Sequence, residues 1–160
     1  MKISLRATLS TVLLCSLTAC SKQDEQAGHD HSAHAKHMHT APHGGTLIEL
    51  GEHAFNLELV RDAAAGKLTA YILDGHAENF VRIAAPSFEI FATVAGAKQK
   101  LTLLAVANVA TGEKVGATSQ FEVTADWLKT TADFEGVITA LTIRDNPFKG
   151  VALKLAPATP

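Results

Sequence analysis

Eight histidines stand in this chain of 160 residues, and all of them lie before residue 77. His29, His31, His34, His37, His39 and His43 fall within fifteen consecutive positions, and His53 and His76 follow at wider spacing. Imidazole is the commonest side-chain ligand for borderline metal ions, and H-x-H and H-x-x-H spacings let one flexible segment wrap several nitrogens around an ion. Met38, between His37 and His39, adds a thioether that suits Cu(I). The expected cargo is therefore Zn²⁺ or Cu²⁺/Cu⁺, with Ni²⁺ as a further candidate. The competing reading is a soluble spacer whose histidines are incidental or charge as the pH falls.

A tract of this kind adapts to many ions, whereas selectivity needs a fixed geometry. Fixed ligands have to come from whatever folds behind the tract. His43, His53 and His76 are the candidates, with Glu58 or Glu52 as an oxygen ligand and Glu78 as a further one. Three nitrogens and a carboxylate are enough for zinc or copper(II). The expectation is that His43, His53 and His76 converge near one sheet edge. Singly, each has a plainer reading. His53 begins the inward row of an alternating strand, Glu58 alternates with Leu57 and Leu59 and would face solvent, and Asp74-Gly75 is turn chemistry.

The first nineteen residues, with Lys2 and Arg6 before the apolar run Ala7 to Ala19, have the form of a signal peptide, too short in its apolar part to span a bilayer. Leu17-Thr18-Ala19-Cys20 resembles the bacterial lipobox, which implies cleavage before Cys20 and lipid on its sulfur. Ser21, rather than Asp, after the cysteine implies sorting to the periplasmic face of the outer membrane. Cys15 leaves with the signal and Cys20 is consumed, so no thiol remains for a disulfide, a metal or nucleophilic catalysis. The remaining chain carries 12 basic and 16 acidic residues, a formal charge of −4, which excludes a nucleic-acid footprint.

Three parts follow: a signal peptide over 1–19, a lipid-anchored histidine-rich tether over 20–42, and one domain over 43–160. The tether has almost no large apolar side chain besides Met38 and is expected to be disordered, because it cannot offset its ordering entropy. The domain is expected to be all-β, an antiparallel β-sandwich of about eight short strands with an immunoglobulin-like or barrel-like variant as the alternative. Two strands, His53 to Leu59 and Lys67 to Leu73, should form a hairpin around Asp62 to Gly66. Further strands are expected at Phe80 to Ala84, Ser87 to Val94, Lys100 to Ala107, Gln120 to Thr124, Gly136 to Ile143 and Gly150 to Leu155. One short helical segment falls around Ala125 to Thr131, where Trp127 would close the core. Such a core should keep the domain from Thr46 folded in chelator.

Pro42-His43-Gly44-Gly45-Thr46-Leu47-Ile48-Glu49-Leu50-Gly51, with Glu58 on the next strand, resembles the H-G-G-x-[LV]-x-x-x-G segment of periplasmic proteins of heavy-metal efflux, including accessory domains of resistance-nodulation-division adaptor subunits. The likeness covers roughly residues 42 to 84 and lacks the helical hairpin and other domains of an adaptor. It implies a small stand-alone relative of the metal-associated domain, with a metal-efflux complex as partner. No H-E-x-x-H helix, G-x-S-x-G elbow or phosphate loop is present, so an enzyme is not expected. The expected function is a membrane-anchored periplasmic lipoprotein that buffers, senses or delivers a transition metal. The alternative is a non-catalytic interaction module of the envelope in which the tract is only a tether.

Overall fold

The computed structural model describes residues 39 to 156. The expected signal peptide, the expected lipidation at Cys20, the ligand candidates His29, His31, His34, His37 and Met38, and the expected disorder of the tether up to residue 38 lie outside the described residues.

Eight antiparallel strands make one sheet: β1 (Thr46–Leu50), β2 (Phe55–Asp62), β3 (Lys67–Asp74), β4 (Ser87–Val94), β5 (Ala97–Ala105), β6 (Gln120–Thr124), β7 (Phe134–Ile143) and β8 (Asn146–Leu155). Their spatial order is β1-β2-β3-β6-β5-β4-β7-β8. The edge strands β1 and β8 come back into contact, and Thr46 Oγ1 lies 3.3 Å from both the carbonyl oxygen and the amide nitrogen of Ala156. The sheet is thus curled on itself and nearly closed, a barrel-like form of the all-β class rather than two separate layers. Bringing the edges together partly shelters the unpaired strands that an open sheet would expose.

Side-chain alternation explains the curl. In β2, Phe55, Leu57 and Leu59 point into the barrel, as do Leu68, Ala70 and Ile72 in β3, and all six are buried. They join Leu50, Ile90, Leu103, Phe121 and Ile138 in one core. At about 2 kcal/mol for each fully buried large apolar side chain, this inner row is what holds the domain together. Trp127 lies on the short 3-10 turn Asp126–Lys129 and packs edge-on to Phe134 with ring centres 5.3 Å apart, closing the core as expected.

The hairpin of β2 and β3 turns where expected, with Asp62 Oδ1 accepting from the Ala65 amide at 3.0 Å. Two expectations need correction. Phe80 to Ala84 is no strand; it touches the sheet only through single bridges, Leu73 with Phe80 and Ile83 with Thr118. The inward row of β2 begins at Phe55, not at His53, because residues 51 to 54 form a turn in which both Gly51 (φ 64°) and His53 (φ 60°) are left-handed.

Candidate functional site

The segment that enters the domain crosses the outer face of β2, and Gly45 makes the crossing possible. A Cβ there would stand 2.5 Å from the Leu59 carbonyl oxygen, closer than any side chain tolerates, while Gly44 takes a φ of 69°. The crossing covers Glu58, whose side chain is 0% exposed. Glu58 was expected to face solvent; strand parity does put it on the outer face, but the chain lying over that face removes the water.

Burial of a carboxylate demands partners, and the crossing segment brings them. Glu58 Oε1 accepts from the amides of His43 at 2.7 Å and Gly45 at 3.0 Å, and Glu58 Oε2 accepts from His43 Nδ1 at 2.8 Å. The His43 ring stacks on Tyr71 at 3.9 Å and lies 5.6 Å from Phe80. Burial first, then the nearby Glu122 and Glu58 carboxylates, holds the Tyr71 hydroxyl above the usual phenol value. His43, Tyr71 and Phe80 wall one side of a pocket of about 250 Å³, and Arg82, Glu113 and Ser119 wall the other. Glu113 is a second buried carboxylate, satisfied by Arg82 Nε at 3.2 Å and Ser119 Oγ at 2.8 Å.

The Nδ1 face of His43 is therefore committed. Its Nδ1 is held by Glu58, and in the neutral ring the lone pair is left on Nε2. It does not join His53 and His76. Its ring lies over Tyr71, three positions or roughly 10 Å along β3 from Asp74, where the His76 turn begins.

His53 and His76 come together with a different histidine. His39, at the start of the described chain, has its ring centre 5.8 Å from that of His76 and 6.5 Å from that of His53, edge-on to both at 74°. The two turns beneath it are locked. Gly75 presses so closely on the turn before β2 that a Cβ would sit 2.0 Å from the His53 carbonyl oxygen. The buried Asn56 amide donates to the carbonyls of Asp74 and Gly75, each at 3.0 Å. Asp74 caps its own turn, accepting from the Glu78 amide at 2.9 Å and Asn79 Nδ2 at 2.7 Å. The Asn79 side chain holds the Asp74 carboxyl below its ordinary range; burial, next in size, opposes it, and the Glu78, Asn79 and His76 amides add to the lowering.

Glu49 accepts from the His53 amide at 3.1 Å and lies 3.5 Å from His53 Nδ1. Glu52 and Glu78, the other proposed oxygen ligands, are exposed on the two turns. Among the described residues no three His, Cys, Asp or Glu side chains already stand close enough to grip an ion.

The residues that build these places were only partly visible in advance. Asn56 and Glu49 had not been singled out, although an asparagine inside a strand is uncommon enough to mark a special role. Tyr71, Phe80 and the Arg82–Glu113 pair carry no local signature. Comparison with protein-family models, with curated proteins and with solved structures found no match for this chain.

Proposed function

We propose that the protein is a membrane-anchored, periplasmic transition-metal-binding lipoprotein that buffers, senses or delivers an ion to an efflux system. One observation carries the reading: the chain leaving a tract of five histidines sets His39 beside His53 and His76. Imidazoles gathered from the entering segment and two fixed turns are what capture followed by transfer requires. The likeness of the H-G-G segment to efflux-associated domains supports the same direction, and Cys20 would keep the tract beside the bilayer.

A second reading, a protein-interaction module of the envelope, has a specific observation in its favour. Val109 and Val115 are 93% and 60% exposed on the 108–118 loop. That loop is braced by the Asn108–Glu113 and Lys114–Ala117 bridges, so the two valines are presented on a fixed support.

Calorimetric titration with Zn²⁺, Cu²⁺ and Ni²⁺ separates the two readings, using residues 21–160 and a version beginning at Ala41. The metal reading expects binding well below about 1 mM by the longer chain and a large loss on truncation, which removes His39 with the tract. Absence of binding by either would leave the interaction module.

A further inference from the structure

We infer that His39, His53 and His76 form a single site for one borderline divalent ion, Zn²⁺ or Cu²⁺, and that the ion fastens the incoming segment to the end of the barrel. The inference rests on the metal-binding reading and adds to it the ligands and the consequence of binding.

Two of the three ligands are positioned before any ion arrives. The His53 turn and the His76 turn are bolted to each other through the contact of Gly75 with the His53 carbonyl and through the Asn56 side chain. His53 also holds a left-handed backbone, φ 60°, which a non-glycine residue adopts only where its surroundings enforce it. Glu49 receives the His53 amide and faces Nδ1 of the same ring, so that Nε2 is the nitrogen left to bind. A carboxylate behind an imidazole is the usual device for aiming a metal ligand.

The rings are also nearly at the right separation. With metal–nitrogen bonds of about 2.0–2.1 Å, imidazoles around one tetrahedral ion have ring centres about 5 Å apart. The His39 ring stands 5.8 Å from that of His76 and 6.5 Å from that of His53, so the shared partner of the two turns is near this separation from each. Rotation of the exposed His53 and His76 side chains on their fixed turns, with a small movement of His39, is what would bring the three rings around one ion. His53 retains 56% side-chain exposure, so an ion can enter without opening the fold.

The donor set decides the class of ion. Three neutral nitrogens suit Zn²⁺, Cu²⁺ and Ni²⁺ and offer nothing to Mg²⁺ or Ca²⁺, which require oxygens. Three protein ligands leave one position open, the arrangement that permits exchange rather than permanent storage. Because His39 belongs to the entering segment and the others to the barrel, binding must tie one to the other.

The test uses the whole protein purified in detergent, titrated with Zn²⁺ against a chromophoric competitor. A His53→Asn, His76→Gln double variant is suited to it, since asparagine tolerates the left-handed backbone at 53. It should weaken the tightest site by at least about 100-fold, the upper end of what losing a partner behind a ligand costs. Its melting temperature should stay within about 2 °C of the parent, as expected for exposed turn positions. His29→Ala, His31→Ala and His34→Ala together should leave that site in place. Zn²⁺ should also slow acylation of His39, His53 and His76 by diethyl pyrocarbonate in parallel, read by mass spectrometry. Unchanged tight binding in the double variant overturns the site while leaving metal binding by the tract standing. Failure of the parent itself to bind Zn²⁺ or Cu²⁺ better than about 1 mM overturns both.

Discussion

His43 and His53 stand ten residues apart in the chain and have opposite circumstances. His43 has its Nδ1 bonded to a fully buried carboxylate, its amide bonded to the same group, and its ring stacked on Tyr71. His53 sits on a turn with its side chain more than half exposed, near His39 and Glu49. The first histidine is laid against the outer face of β2 and β3, over Glu58 and Tyr71; the second is held out to solvent. Residue type does not distinguish them. What distinguishes them is how far the fold has already taken up the ring: His43 has its Nδ1 and one face engaged where two glycines let the chain lie flat on β2.

The largest effect that can break this contrast is expected at Glu58. Glu58→Ala would leave the His43 and Gly45 amides and His43 Nδ1 without their acceptor, at a cost of about 3 kcal/mol. For a domain of this size the melting temperature should fall by roughly 10 °C. The affinity of the His39–His53–His76 site for Zn²⁺ should change little. Loss of metal binding with an unchanged melting temperature would invert the assignment of the two histidine groups.

Two glycines sharpen the contrast at the next level. A Cβ on Gly75 would meet the His53 carbonyl at 2.0 Å, and one on Gly45 would meet the Leu59 carbonyl at 2.5 Å. Backbone atoms cannot swing aside as a flexible side chain can, so each alanine should cost about 1–3 kcal/mol. Only Gly75→Ala separates the two histidine turns, so only it should also lower Zn²⁺ affinity. Thermal denaturation paired with metal competition on both variants reads the two consequences apart, and equal metal affinity in the two would show that the turns need not touch.

The difference between the two regions also marks how far the sequence is legible. Strands such as Ser87–Val94 and Gln120–Thr124 follow from alternation alone, because the signal is local and every second residue reports the core. Alternation likewise puts Glu58 on the outer face, but it cannot say that residues 43 to 45 return to cover that face. The covering is a contact across 15 positions, visible only through the H-G-G pattern. His53 was assigned to a strand because nothing in its neighbours announces a left-handed backbone at a non-glycine residue; Gly51 was the available hint. That His53 and His76 would lie at one end was legible from the hairpin. That His39 rather than His43 would join them was not, since it depends on the path of an entering segment with no periodic pattern.

The smallest effect concerns pH and separates the two regions without a change to either histidine group. Asp74 has its carboxyl lowered in the folded protein, chiefly by the Asn79 side chain and then by the Glu78, Asn79 and His76 amides. A group whose folded value is depressed adds stability that is present above the ordinary carboxylate value of about 3.9 and is lost as pH falls through the depressed value. Acid should therefore loosen the His76 turn. The amide resonances of His76, Glu78 and Asn79 should titrate together below about pH 3.9. In an Asp74→Asn protein the shared titration should vanish, and the acid limb of the melting curve should become shallower. Because Asp74 lies close to solvent, the change in stability should be the least of the effects predicted. A titration of the His76, Glu78 and Asn79 amides that survives in the Asp74→Asn protein would mean that Asp74 does not hold the turn, and the support assigned to His76 would fail.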